Sequence, residues 1–156
     1  MKKKRLILLA IVLIAITMIA ASPNVRIGEK LNLPIGYSEL SFPAGEPFHL
    51  SGGITWLPAK YTDAQFLGNM RVRVEVDGEE VKHDYVEFAP FKYEGEVYFD
   101  KFFVFNFPEG LEGEHTVQMF YANKCMILVY WGLVTECEKP EKSIEVLLRD
   151  AVVTFE

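Results

Sequence analysis

In several stretches of this 156-residue chain the apolar side chains fall at every second position. That spacing turns one face of a β-strand towards a core and leaves the other in solvent. Phe48, Leu50, Ile54 and Trp56 share a face, with His49, Ser51 and Thr55 opposite them. The Gly52-Gly53 pair in the middle of that run predicts a bulge or a close backbone approach. Residues 70–77 alternate more strictly, Val72, Val74 and Val76 inward and Arg71, Arg73 and Glu75 outward, before a tight turn at Asp77-Gly78 leading into Val81. Phe103, Phe105 and Phe107 form the next apolar face, ended by Pro108-Glu109-Gly110. Gly113 opens the following strand, in which His115, Val117, Met119 and Tyr121 alternate. In residues 143–155 the set Ile144, Val146 and Leu148 gives way to Val152, Val153 and Phe155. The phase changes near Arg149-Asp150, as a bulge requires.

Two stretches are less regular. Residues 24–40 hold short alternations (Val25 and Ile27; Leu31, Leu33 and Ile35) interrupted by Gly28, Pro34 and Gly36, and read as extended chain able to supply a first strand. Residues 85–99 are aromatic, and Pro90 and Gly95 divide them into one or two short edge strands. Outside the N-terminal run no stretch shows a 3.6-residue period. The pattern therefore predicts an all-β chain folded as an antiparallel β-sandwich.

The N-terminus differs from everything that follows. Lys2, Lys3, Lys4 and Arg5 precede sixteen residues, 6–21, that carry no charge. Cations, an apolar run and small residues in that order describe a secretory signal peptide. Cleavage after Ala21 would place Ile19 at −3 and Ala21 at −1. The run falls just short of the roughly 17–25 residues that span a bilayer, so an uncleaved membrane anchor is the alternative. Either way the remainder is expected outside the cytosol, extracellular or on the cell surface. The chain then divides into the signal, residues 1–21, an extended segment, 22–43, and one domain, 44–156.

Composition sharpens this picture. The full chain carries 16 cations, 22 acids and a net charge of −6. Without the four N-terminal cations the remaining twelve face the same 22 acids, a net charge of −10. Such a surface argues against nucleic acid as a partner, and against anionic lipid except through the N-terminal segment. Seventeen of the acids are Glu, and Gln occurs only twice, a balance also found in proteins of thermophiles. The two cysteines, Cys125 and Cys137, predict one disulfide in an exported chain. Closing that short loop stabilises the fold by about 3 kcal/mol on the chain-entropy account. None of the five asparagines begins an Asn-x-Ser/Thr acceptor site.

Three segments carry a resemblance: Ala44-Gly45-Glu46-Pro47-Phe48-His49 opening a strand, the hairpin Val74-Glu75-Val76-Asp77-Gly78-Glu79-Glu80-Val81, and the junction from Phe105-Asn106-Phe107-Pro108 through His115-Thr116-Val117. In that order they resemble the uncharacterised secreted single-domain immunoglobulin-like proteins of prokaryotes, which often carry a cysteine pair in their last third. The resemblance spans residues 44–156 and implies a seven- or eight-strand immunoglobulin-like β-sandwich. It brings no catalytic residues with it. The usual disulfide between the two sheets needs widely separated cysteines, whereas Cys125 and Cys137 lie twelve positions apart. This bridge is expected to staple a local excursion instead.

That excursion is the most distinctive part of the chain. Eight of the eleven residues between the cysteines are apolar or aromatic, where a polar loop is expected between the last two strands. A disulfide-closed loop tipped by Tyr130, Trp131, Gly132 and Leu133 would present a rigid hydrophobic contact, the kind that dominates binding hot spots. The alternative is a strand continuation and hairpin folded onto the domain, with Trp131 covering an open end of the core.

Elsewhere the chemistry is sparse. His49, His83 and His115 are not spaced as metal ligands. His49 falls on the polar face of its strand, and His115 stands at a strand start where related sandwiches place a tyrosine that bonds back to the corner. Glu79-Glu80, Glu94-Gly95-Glu96 and residues 109–114 are acidic turns without the DxDxDG pattern of a calcium loop. The residues supply no catalytic set, metal site or cofactor motif, and they argue against an enzyme. Two functions fit: a secreted binding module for a protein or glycan partner, and a filament subunit in which residues 24–40 are donated to a neighbouring copy's sheet, making a homo-oligomer.

Overall fold

A computed structural model describes residues 25–56, 69–130 and 132–156. The apolar run 6–21 and its cleavage position lie outside the described residues. Nine strands and one short helix are present among those residues: β1 (Glu29–Lys30), β2 (Gly36–Phe42), β3 (Phe48–Trp56), β4 (Arg71–Val76), β5 (Glu79–Val81), β6 (Tyr85–Tyr93), β7 (Glu96–Phe107), β8 (Gly113–Lys124), α1 (Cys125–Tyr130) and β9 (Ser143–Phe155). They form a four-stranded sheet in the order β1-β3-β7-β6 and a five-stranded sheet in the order β2-β9-β8-β4-β5. The all-β expectation holds.

The alternating residues meet between the sheets. Phe48 and Leu50 of β3 and Phe103 and Phe105 of β7 pack against Val72 and Val74 of β4, Val117, Met119 and Tyr121 of β8, and Ala151, Val153 and Phe155 of β9. At one end four phenylalanines close the sandwich. Phe48 stacks on Phe107 at 4.4 Å and lies 5.3 Å from both Phe42 and Phe155.

One expectation needs correction. The sheets are mixed, not wholly antiparallel: β1 runs parallel to β3, and β2 parallel to β9. Parallel neighbours need a long connection between them, and β2 and β9 are separated by nearly the whole domain. The extended segment, expected to be able to supply a first strand, supplies two, β1 and β2, so the sheets begin at Glu29. Residues 31–35 cross from the edge of one sheet to the edge of the other, burying Leu31 and Leu33 in the core. The segment offered above for donation is thus paired within its own chain.

Local details follow the turn and bulge signals. Asp77-Gly78 and Glu94-Gly95 are two-residue hairpin turns with both residues at positive φ, the geometry that matches strand twist. β9 carries its bulge where the phase changes: Met119 pairs with Arg149 but Phe120 with Leu147, leaving Leu148 extra. Gly52-Gly53 is no bulge, since the β3–β7 ladder runs through it in register. Close approach explains it, as a Cβ on Gly53 would sit 2.1 Å from the Lys101 carbonyl oxygen. β6 continues for nine residues through Pro90, which an edge strand tolerates because one side of its backbone has no partner strand.

Candidate functional site

The chain leaves β8 at Lys124 and turns at once into α1 instead of continuing as a hairpin. The first half of the excursion, 125–130, is thus helical, and its described remainder, 132–137, is irregular chain leading back to Cys137. A six-residue helix does not persist by itself, and here both termini are satisfied by neighbouring backbone. The Cys125 amide donates to the Lys142 carbonyl at 2.9 Å and the Met126 amide to that of Pro140 at 3.1 Å. At the C-terminus Gly132 has φ +73. Its amide donates to the Val129 carbonyl, and the Leu133 amide to that of Leu128, both at 2.9 Å. This pair of bonds around a left-handed glycine is a Schellman motif. The Cys125–Cys137 disulfide, with Cα atoms 5.9 Å apart, fixes the base, and a 2.6 Å Lys124–Glu141 ion pair lies beside it.

Helical spacing then sorts the side chains. Cys125, Ile127 and Leu128 are buried, while Met126 and Tyr130, four residues apart and so on one stripe, are 48% and 61% exposed. Of the residues singled out from sequence, Tyr130 is on the surface, Leu133 is half-buried with its amide closing the helix, and Trp131 lies outside the described residues. Met126 was not foreseen, because its outward direction exists only once the run is helical.

A second exposed group lies at the same end of the sandwich. The Gly53 amide donates to the Tyr121 hydroxyl at 3.0 Å across the sheets. From that level β3 runs on to Trp56 and β8 to α1, and Trp56 pairs with Phe99 just above the β6–β7 turn. That turn carries Tyr93, 57% exposed, with its ring 6.2 Å from the Tyr98 ring. Val97 and Phe88 are also exposed there. The one or two short edge strands expected in residues 85–99 are β6, which lies at the sheet edge, and the start of β7, which lies between β3 and β6.

The histidines have structural places. His49 is not on a solvated face: it is buried, and its Nδ1 lies 3.1 Å from the Ile27 carbonyl oxygen. Residues 25–27 cover that face of the sheet, where Asn106 accepts from the Ile27 amide at 2.9 Å and donates to the Val25 carbonyl at 3.1 Å. His83 packs edge-on to Phe103. His115 forms the corner contact expected of it, with Nδ1 2.6 Å from Asp77 Oδ2 and Nε2 3.0 Å from the Glu112 carbonyl oxygen. Both nitrogens face acceptors, so the imidazolium fits best. Hydrogen bonding to Asp77 raises the His115 pKa, and the same bond, with the Thr116 amide, lowers that of Asp77.

A cleft between the two sheets is bordered by Val72, His83, Lys101 and Phe103. Burial lowers the pKa of the Lys101 amine there, and its Nζ lies 5.4 Å from the centre of the Phe103 ring. Among the described residues no three His, Cys, Asp or Glu side chains converge as a metal site. No helix among them is long and apolar enough to cross a membrane. No protein family, curated protein or solved structure matches the chain.

Proposed function

We propose that this is a non-enzymatic, immunoglobulin-like binding domain of the cell exterior, which contacts a protein or glycan partner through the end of the sandwich that carries α1. The observation that supports it most is the disulfide-tethered helix with Met126 and Tyr130 outward. While burying Ile127 and Leu128, α1 holds Met126 and Tyr130 outward on a fixed base, and preorganised aromatic anchors are what binding surfaces use. The β6–β7 turn adds Tyr93 at the same end. The sheet orders are compatible with an immunoglobulin-like scheme of A-B-E-D facing G-F-C-C′, the first strand being shared between the sheets as β1 and β2. The disulfide accords with an oxidising compartment.

Fluorescently labelled protein incubated with intact cells of the producing organism, and with their extracted envelope glycans, tests this reading. The wild-type chain should bind, and Met126→Ser/Tyr130→Ala should bind at least about tenfold more weakly. Equal binding by the two proteins would dismiss the α1 end as the contact.

A further inference from the structure

The two sheets end in four edges that differ in how they are guarded. β1 is two residues long and β5 three, the latter with Glu79 and Glu80. β6 carries Pro90 and Lys92, and Arg26 folds over it to meet Glu87 at 2.6 Å. Shortness, charge, proline and a covering segment are the devices that keep sheet edges from pairing. β2 has almost none of them. It is seven residues long, pairs among the described residues with β9 alone, shows no register shift, and contains one charge, Glu39, and no proline or lysine. Beside that open edge Ile35 and Tyr37 are 71% and 65% exposed.

We propose that β2 pairs antiparallel with β2 of a second copy of this chain, about a two-fold axis at Ser38, joining two five-stranded sheets into one. The register is set by charge and shape. Centring on Ser38 places Tyr37 opposite the partner's Glu39, twice per dimer. Tyr37 donates to Glu39 Oε1 within one chain, at 3.1 Å, and in this register each Tyr37 also faces the partner's Glu39 carboxylate. Centring on Glu39 would instead oppose two carboxylates, which destabilises a cross-strand pair. On the inward side Gly36 comes opposite the partner's Leu40, and there is room for it: a Cβ at Gly36 would meet nothing within 4 Å. A second copy fits better than an unrelated strand because the two-fold arrangement uses both long open edges at once and closes. The interface is an extension of the sheet and makes no use of α1.

Sedimentation equilibrium of the full-length chain in uncharged detergent tests the proposal, with charge placed at the predicted pairs. Residues 6–21 are present in every variant, so association they drive is common to all. The wild-type chain should show a monomer–dimer equilibrium. Tyr37→Glu, which sets carboxylates against each other twice, should weaken it about tenfold. Tyr37→Lys, which meets the partner's Glu39, should keep the dimer, and Tyr37→Glu/Glu39→Lys should restore it. Tyr37 is exposed, and a circular dichroism melt of each variant verifies folding. A wild-type monomer at the highest concentration, equal loss in Tyr37→Glu and Tyr37→Lys, or failure of the charge-swapped pair would each overturn the proposal.

Discussion

His115 ties the β4–β5 turn to the approach to β8 through Asp77 and the Glu112 carbonyl. Its stabilising effect is bounded at both ends of the pH scale. The folded pKa of His115 is raised above 6.5, so its contribution is complete below that value and is lost as pH rises through the raised pKa. The folded pKa of Asp77 is lowered below 3.8, so its contribution is present above that value and is lost as pH falls through the lowered pKa. Thermal unfolding across pH should therefore show an alkaline decline that Asp77→Asn removes. The Asp77 side chain is 52% exposed, which limits the effect to about 1 kcal/mol or less. An unchanged decline in Asp77→Asn would assign it to other groups. The sequence identified His115 as a corner residue from its position at a strand start. It did not reveal the buried state of His49, which depends on residues 25–27 folding back over the sheet.

At the scale of elements, legibility followed how each strand is buried. β4 and β8 sit within a sheet with one face in the core, so their alternation was clear. β2 shows in the sequence as extended chain able to supply a strand, without a clear alternation. As an edge strand with small Ser38 on its inward face, it shows just Leu40 and Phe42 as apolar signals. α1 escaped because a six-residue apolar run has no period of its own, and a helix there depends on bonds to residues 140–142 and on the disulfide. Gly132, noted at the tip of the excursion, acts instead as the left-handed residue ending the helix. Gly132→Ala is thus predicted to cost about 1 kcal/mol, although a Cβ there would meet nothing within 4 Å. Chemical denaturation measures the loss. A neutral effect would show that the backbone near α1 relaxes without the left-handed residue.

On the proposed function the two ends of the sandwich have different tasks, and substitutions at each should separate stability from recognition. The end that holds Phe42, Phe48, Phe107 and Phe155 is closed by ring contacts between 4.4 and 6.0 Å. Phe48 is 1% exposed and touches the other three rings, linking β2, β3, β7 and β9. Truncating it leaves a cavity bordered by both sheets, so Phe48→Ala should lower the unfolding free energy by about 4 kcal/mol. At the opposite end Met126 and Tyr130 contribute area to solvent instead of to the core. Met126→Ser/Tyr130→Ala should therefore shift stability by no more than about 0.5 kcal/mol. Urea unfolding of both variants measures the contrast directly. If the α1 pair cost as much as Phe48, its side chains would be packing elements, and the recognition surface would have to be sought at the β6–β7 turn.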